Sequence, residues 1–148
     1  MIGKVIVEGL GLGLLLVLVC AVGISRGAVA LGLTTPERIR HNSIRFKLVC
    51  VPVYIAYVLV CVYAVNGARG FLTPFWQLLV ILSVMNLIDR FLVDDLWVGH
   101  TNAWTIPGTE DLKPYITAQN RKVKWLFGTV GMAVMAAVLS GVMLLFVR

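Results

Sequence analysis

Residues 75–93 read FWQLLVILSVMNLIDRFLV, an apolar run that ends in charge and is followed at once by Asp94 and Asp95. A helix needs about 20 apolar residues to cross the roughly 30 Å hydrocarbon core of a bilayer. The run has that length, but Asn86, Asp89 and Arg90 bring polar groups into its last turns. It therefore predicts a membrane-spanning helix with polar residues at depth, and such residues are functional candidates by default.

Three further apolar blocks accompany this one, at residues 5–24, 48–65 and 125–147. The 148-residue chain is 59% hydrophobic and 14% charged, whereas soluble domains are about 25% charged. Transmembrane β-strands would alternate in polarity, and these blocks do not. Residues 5–24 are too long an apolar run for a signal peptide, so we expect a retained helix. The sequence predicts an all-α membrane protein with four transmembrane helices in one antiparallel bundle, a single domain over residues 1–148.

Basic residues are concentrated in two of the predicted loops, 25–47 and 94–124. These loops carry nine Lys and Arg residues, against three (Lys4, Arg69 and Arg148) on the opposite side. The positive-inside rule then predicts cytoplasmic loops and extracytoplasmic termini in a bacterial inner membrane. Because topology accounts for the net charge of +6, we expect lipid partners, including anionic lipids, and no nucleic acid.

A helix start is predicted at Thr35-Pro36, since Thr is a good N-cap and Pro suits the first helical position. Basic residues follow at Arg38, Arg40, Arg45 and Lys47. Residues seven apart recur on one helix face. The pattern indicates either an anchor on anionic lipid or a site for a phosphate-bearing head group.

Acidic and imidazole side chains are predicted to gather at the same membrane face: Asp94, Asp95, His100, Glu110 and His41. Carboxylates and imidazoles can together bind a divalent metal. Their spacing matches no metal motif, however, and the aspartates can instead pair with Arg90 or with the basic loop residues. No cofactor is favoured, a divalent metal stays an alternative, and no catalytic residue is identified.

Small residues at four-residue spacing predict close helix packing. They lie at Gly9 and Gly13 in the first span, and at Thr129, Ala133, Ala137 and Gly141 in the fourth. The second stripe can hold either another helix of the chain or a second copy, so we expect an oligomer or a subunit of a membrane complex. Near Gly9, Glu8 is expected to pair with Lys4 or Arg69.

At residues 89–95 and at Ile106-Pro107-Gly108-Thr109-Glu110-Asp111 the chain resembles a family of uncharacterised small bacterial membrane proteins with four predicted spans. The resemblance covers the third span and the loop after it, and it implies architecture alone. The leading hypothesis for function is a transporter or channel-like module, or an accessory subunit. The alternative is a membrane-interfacial enzyme for a phosphorylated lipid or polyprenyl substrate, with an acidic and His site at the cytoplasmic face.

Overall fold

The structure, a computed structural model, describes residues 2–21, 23, 32, 35–101, 108, 110 and 118–147. Its four long helices are α1 (Ile2–Leu15), α2 (Pro36–Leu59), α3 (Leu72–Ile88) and α4 (Ala118–Leu144). Three of them continue into π-helical turns, at Leu16–Ala21 after α1, Val60–Val65 after α2 and Asp89–Gly99 after α3. Within the described ranges there is no strand.

Each of the four helices is long and apolar enough to cross a membrane. The stretches that qualify are Ile2–Val19, Arg40–Val65, Leu72–Gly99 and Arg121–Leu144. Large apolar side chains on all four are exposed, among them Leu14, Val51, Leu92 and Phe127. An apolar surface of this extent suits lipid rather than water. The prediction of an all-α bundle with four spans is confirmed, and the chain is a multi-pass membrane protein.

α1 and α2 run antiparallel. Lys4 at the start of α1 donates a hydrogen bond to the Val65 carbonyl beyond the end of α2, at 3.3 Å. Further along α1, a Cβ atom at Gly11 would lie 2.5 Å from the Tyr57 hydroxyl. Residue numbers at the contacts thus rise along α1, from Lys4 to Gly11, while they fall on the partner helix, from Val65 to Tyr57, as in an antiparallel pair.

α3 is the central helix, because both α1 and α4 pack along it. α1 and α3 are parallel and approach closely at Gly9, where an added Cβ atom would lie 2.7 Å from the Val84 Cβ, and at Gly13, where it would meet the Ile88 side chain. Small residues permit such an approach between helices in a bilayer. The buried core lies along the same contact, with Leu12 from α1 and Leu78, Ile81, Leu82 and Met85 from α3.

α4 packs on α3 through residues spaced four apart along one face. Gly128 lies against Arg90 and Asn86, Ala136 and Ser140 are fully buried, and Met132 packs on the core. This face is one residue away from the stripe predicted at Thr129, Ala133, Ala137 and Gly141. A Cβ atom at Gly141 would meet nothing within 4 Å, so within the chain the stripe borders the α3 contact without forming it.

α2 begins at Pro36, as predicted, after an extended Thr35 with φ −94° and ψ 141°. The Thr35 side chain makes no capping hydrogen bond. Most of the loop predicted after the third span, residues 102–107, 109 and 111–117, lies outside the described residues, as do residues 24–31 and 33–34.

The helix of the third span is longer than predicted. Residues 94–99 are π-helical, where a loop was expected. The reason lies in α4: Asp94 and Asp95 each reach a cation on its first turns. The ion pairs hold these turns against α4, so the two aspartates occupy a helix and not a loop.

Two polar clusters on the central helix

The first polar cluster, called here the Arg90 cluster, comprises Asn86, Asp89, Arg90, Asp94 and Lys124. It forms where the end of α3 meets the start of α4. Gly128 lets the two helices approach there, since an added Cβ atom would collide with the Arg90 guanidinium and lie 3.0 Å from Asn86 Oδ1. A glycine in α4 therefore creates the space that Arg90, from the π-segment after α3, fills.

Arg90 is buried, with only 6% of its surface exposed. Its Nη2 donates hydrogen bonds to the backbone carbonyls of Lys124 (2.8 Å) and Trp125 (3.0 Å). The guanidinium carbon lies 4.2 Å from the centre of the Trp125 ring, within the range of a cation–π contact. A planar guanidinium suits such a site because it stacks and donates at once. Its Nε is buried without a hydrogen-bond partner among the described residues.

The aspartates of the cluster face cations of α4. Asp94 is buried and its Oδ2 lies 2.6 Å from Lys124 Nζ. Asp95, outside the cluster, pairs with Arg121 at 3.2 Å in a more exposed position. Asp89 is half-buried and experiences the charges of Asp94, Lys124, Lys47 and Arg90. Positive and negative charge are therefore interleaved at this junction.

The second polar cluster, called here the Glu8 cluster, comprises Glu8, Tyr57, Asn66 and Gln77 at the opposite end of the bundle. The Asn66 amide nitrogen donates to Glu8 Oε2 at 2.9 Å and to Gln77 Oε1 at 3.0 Å. The Tyr57 hydroxyl donates to the Glu8 backbone carbonyl at 3.2 Å. Three helices and the end of the α2 π-segment thus join in one polar network.

Glu8 forms neither of the expected ion pairs among the described residues. Lys4 donates to the Val65 carbonyl, and Arg69 donates to the carbonyls of Tyr63 and Ala68. Both cations thus donate hydrogen bonds to carbonyls in the π-segment after α2 or just beyond it. Carbonyls at a helix terminus lack partners within the helix. The Glu8 carboxylate accepts its hydrogen bond from the Asn66 amide instead.

Asn66 and Gln77 were missed as members of a site. A signal was present, since both polar residues flank the short connection between the second and third spans, on the side of the membrane that carries Glu8. A search for polar residues at equal depth on different spans would have grouped them.

The residues of the predicted metal site are not brought together. Within the described residues, no three His, Cys, Asp or Glu side chains lie close enough to hold a metal ion. The carboxylates of Asp94 and Asp95 contact α4 cations, His100 Nδ1 contacts the Asp95 carbonyl at 2.7 Å, and Glu110 accepts a bond from the Gly108 amide. His41 is exposed on α2.

The basic residues of α2 lie at the Arg90 end of the bundle. Arg38, Arg40, Arg45 and Lys47 are all exposed, and Lys47 is near enough to act on Asp89. Their position suits the head-group layer of a bilayer. Comparison of the chain with protein-family models, curated proteins and solved structures finds no match.

Proposed function

We propose that this protein is a small non-catalytic membrane module of the transporter or channel type, acting as an oligomer or as a subunit of a larger complex in a bacterial inner membrane. One observation carries the proposal: the third span buries polar groups at both ends, Gln77 of α3 in the Glu8 cluster, and Arg90 and Asp94 of the following π-segment in the Arg90 cluster. Polar and ionisable side chains inside a span are costly, and they mark ion and substrate pathways.

Between the two clusters, the buried side chains of α3 are all apolar. They are Leu78, Ile81, Leu82 and Met85, which belong to one buried core cluster with Leu12 of α1 and Val58 of α2. Apolar constrictions between polar vestibules act as gates in membrane pathways, because a narrow apolar passage excludes water. The arrangement supports a gated route along α3 that is closed in this conformation.

The enzyme hypothesis receives less support. It requires Asp94, His100 and Glu110 to converge with Arg38 or Arg45 around one substrate. The Asp94 carboxylate is instead 2.6 Å from Lys124 Nζ, and Glu110 bonds to its own turn. Arg38 and Arg45 remain placed to contact a lipid head group, a role that an anchor performs as well.

Aqueous access to Asn86 tests the proposed function. Asn86 is half-buried and faces Gly128, whereas its neighbour Leu87 is 43% exposed on the lipid side. In a background without native cysteines, we expect Asn86→Cys to react with a small charged thiol reagent at least tenfold faster than Leu87→Cys, because only a hydrated thiol ionises readily. Labelling rates in intact proteoliposomes give the measurement.

Equal, slow labelling of the two variants would reject a water pathway at this end. The transporter proposal would then fail, whereas Asn86→Cys reacting as fast as an exposed loop cysteine would support it.

The proposed orientation has its own test. The two basic loops flank the Arg90 cluster, so we place that end in the cytoplasm and both termini outside. Thr73 at the start of α3 and Thr101 beyond its π-segment are both exposed. In intact cells, an impermeant thiol reagent is expected to label Thr73→Cys and to spare Thr101→Cys until the membrane is permeabilised. The reverse pattern would invert the topology.

A further inference from the structure

The Glu8 cluster contains a carboxylate that its neighbours satisfy only in part. Glu8 Oε2 accepts a hydrogen bond from Asn66, but Glu8 Oε1 is buried with no hydrogen-bond partner among the described residues. A buried carboxylate oxygen without a donor is costly, because it gives up its hydration and receives nothing in exchange. The network is therefore complete except for one positively charged or donating group at Oε1.

We propose that the Glu8 cluster binds one monovalent alkali cation, Na⁺ or K⁺. Transport of the ion would rest on the proposed function. Binding of the ion depends on the cluster alone. It stands on the buried Glu8 Oε1 and on the buried Gln77 amide oxygen, which faces the same Asn66 amide group as the carboxylate.

The donor atoms suit a hard cation. Carboxylate, amide and hydroxyl oxygens are the groups that alkali and alkaline-earth ions prefer, and thiolate or imidazole ligands are not required. Glu8 supplies the carboxylate, Gln77 an amide oxygen, and Tyr57 a phenol oxygen whose proton is directed to the Glu8 carbonyl.

The charge of the cluster favours a monovalent ion. Glu8 is its single carboxylate, and the divalent ions Ca²⁺ and Mg²⁺ are usually held by more than one. Among the described residues, the charged and titratable groups that act on it include Lys4, whose Nζ bonds to the Val65 carbonyl, the Tyr57 hydroxyl, which bonds to the Glu8 carbonyl, and the Cys61 thiol. The described ion pairs all lie at the other end of the bundle and none of them includes Glu8.

Salt-dependent thermal unfolding of the full chain in mild detergent tests the site. NaCl or KCl is titrated at constant ionic strength, with choline chloride as the replacement salt. A ligand that binds only the folded state stabilises it in proportion to the logarithm of its concentration, so at a hundredfold excess over Kd we expect a rise in Tm of roughly 5 °C. Equilibrium binding of radioactive Na⁺ is expected to show one displaceable ion per chain.

Glu8→Gln is expected to abolish both the rise in Tm and the ion binding. Its Tm in choline alone should equal or exceed that of the wild type, because the variant no longer buries a charge. The matched control is Glu37→Gln, the same change at an exposed carboxylate on α2, which should respond to salt like the wild type. Gln77→Leu should weaken binding at least several-fold.

Three outcomes would overturn the proposal: a wild-type Tm that ignores both ions, a salt response that Glu8→Gln retains, or stabilisation by acid alone, which would make the occupant a proton. Ion binding by a protein whose Asn86→Cys variant resists aqueous labelling would leave the site standing and reject the transport function.

Discussion

Gly128→Leu is expected to detach α4 from α3 and to lower the free energy of unfolding by about 2–3 kcal/mol, as inserting bulk into a packed contact does. Even a methyl group at this position collides with the Arg90 guanidinium. The arginine would have to give up its bonds to the Lys124 and Trp125 carbonyls or push the helices apart. Denaturant titration in mild-detergent micelles, followed by circular dichroism, measures the loss.

Gly131→Leu is the matched control on the same helix. A Cβ atom at Gly131 meets nothing within 4 Å. In a helix, leucine is more favourable than glycine by up to about 1 kcal/mol. This variant should be as stable as the wild type or slightly more so. Equal destabilisation by both substitutions would show that glycine matters to α4 through flexibility rather than through the Arg90 contact.

Lys124→Met is expected to destabilise the fold by about 2 kcal/mol, because it leaves the Asp94 carboxylate buried without its cation. The cost should fall below the roughly 3–5 kcal/mol of breaking a fully buried pair, since the Lys124 side chain is 47% exposed whereas that of Asp94 is 10% exposed. The same micelle titration provides the measurement.

Arg121→Met provides the comparison, because the Arg121–Asp95 pair is 49% and 42% exposed and exposed pairs contribute only about 0–1 kcal/mol. Adding Asp94→Asn to Lys124→Met should recover part of the loss, since the unpaired charge is then gone. If Arg121→Met proves as costly as Lys124→Met, burial of Asp94 is not what makes its pair important.

The sequence alone was sufficient for the spans, the antiparallel order and the start of α2. Each depends on local information: blocks of apolar residues at bilayer length and a Pro36 at a first helical position. The polar residues Asn86, Asp89 and Arg90 were also recognisable, because charge within an apolar run is conspicuous in one dimension.

The partners of these residues were beyond local information. Asn66 joins Glu8 and Gln77 only because the α2–α3 connection returns to the start of α1. The face of α4 that meets α3 depends on a distant partner for a similar reason. It lies one residue away from the small-residue stripe at Thr129, Ala133, Ala137 and Gly141, because Arg90 requires space at Gly128. The helix that packs on the stripe itself stays a prediction. A bulky partner side chain, not the smallest stripe, sets the rotation of α4.

The π-helical turns after α3 change which charges stand above one another. In an α-helix, side chains four apart share a face, so Arg90 would lie over Asp94; with hydrogen bonds from i to i+5 the shared face shifts toward residues five apart. Asp89 and Asp94 then come into each other's field, and Asp94 turns to Lys124. One step in hydrogen-bond register therefore replaces an attraction within the third span, between Arg90 and Asp94, with an attraction between Asp94 and Lys124 of α4.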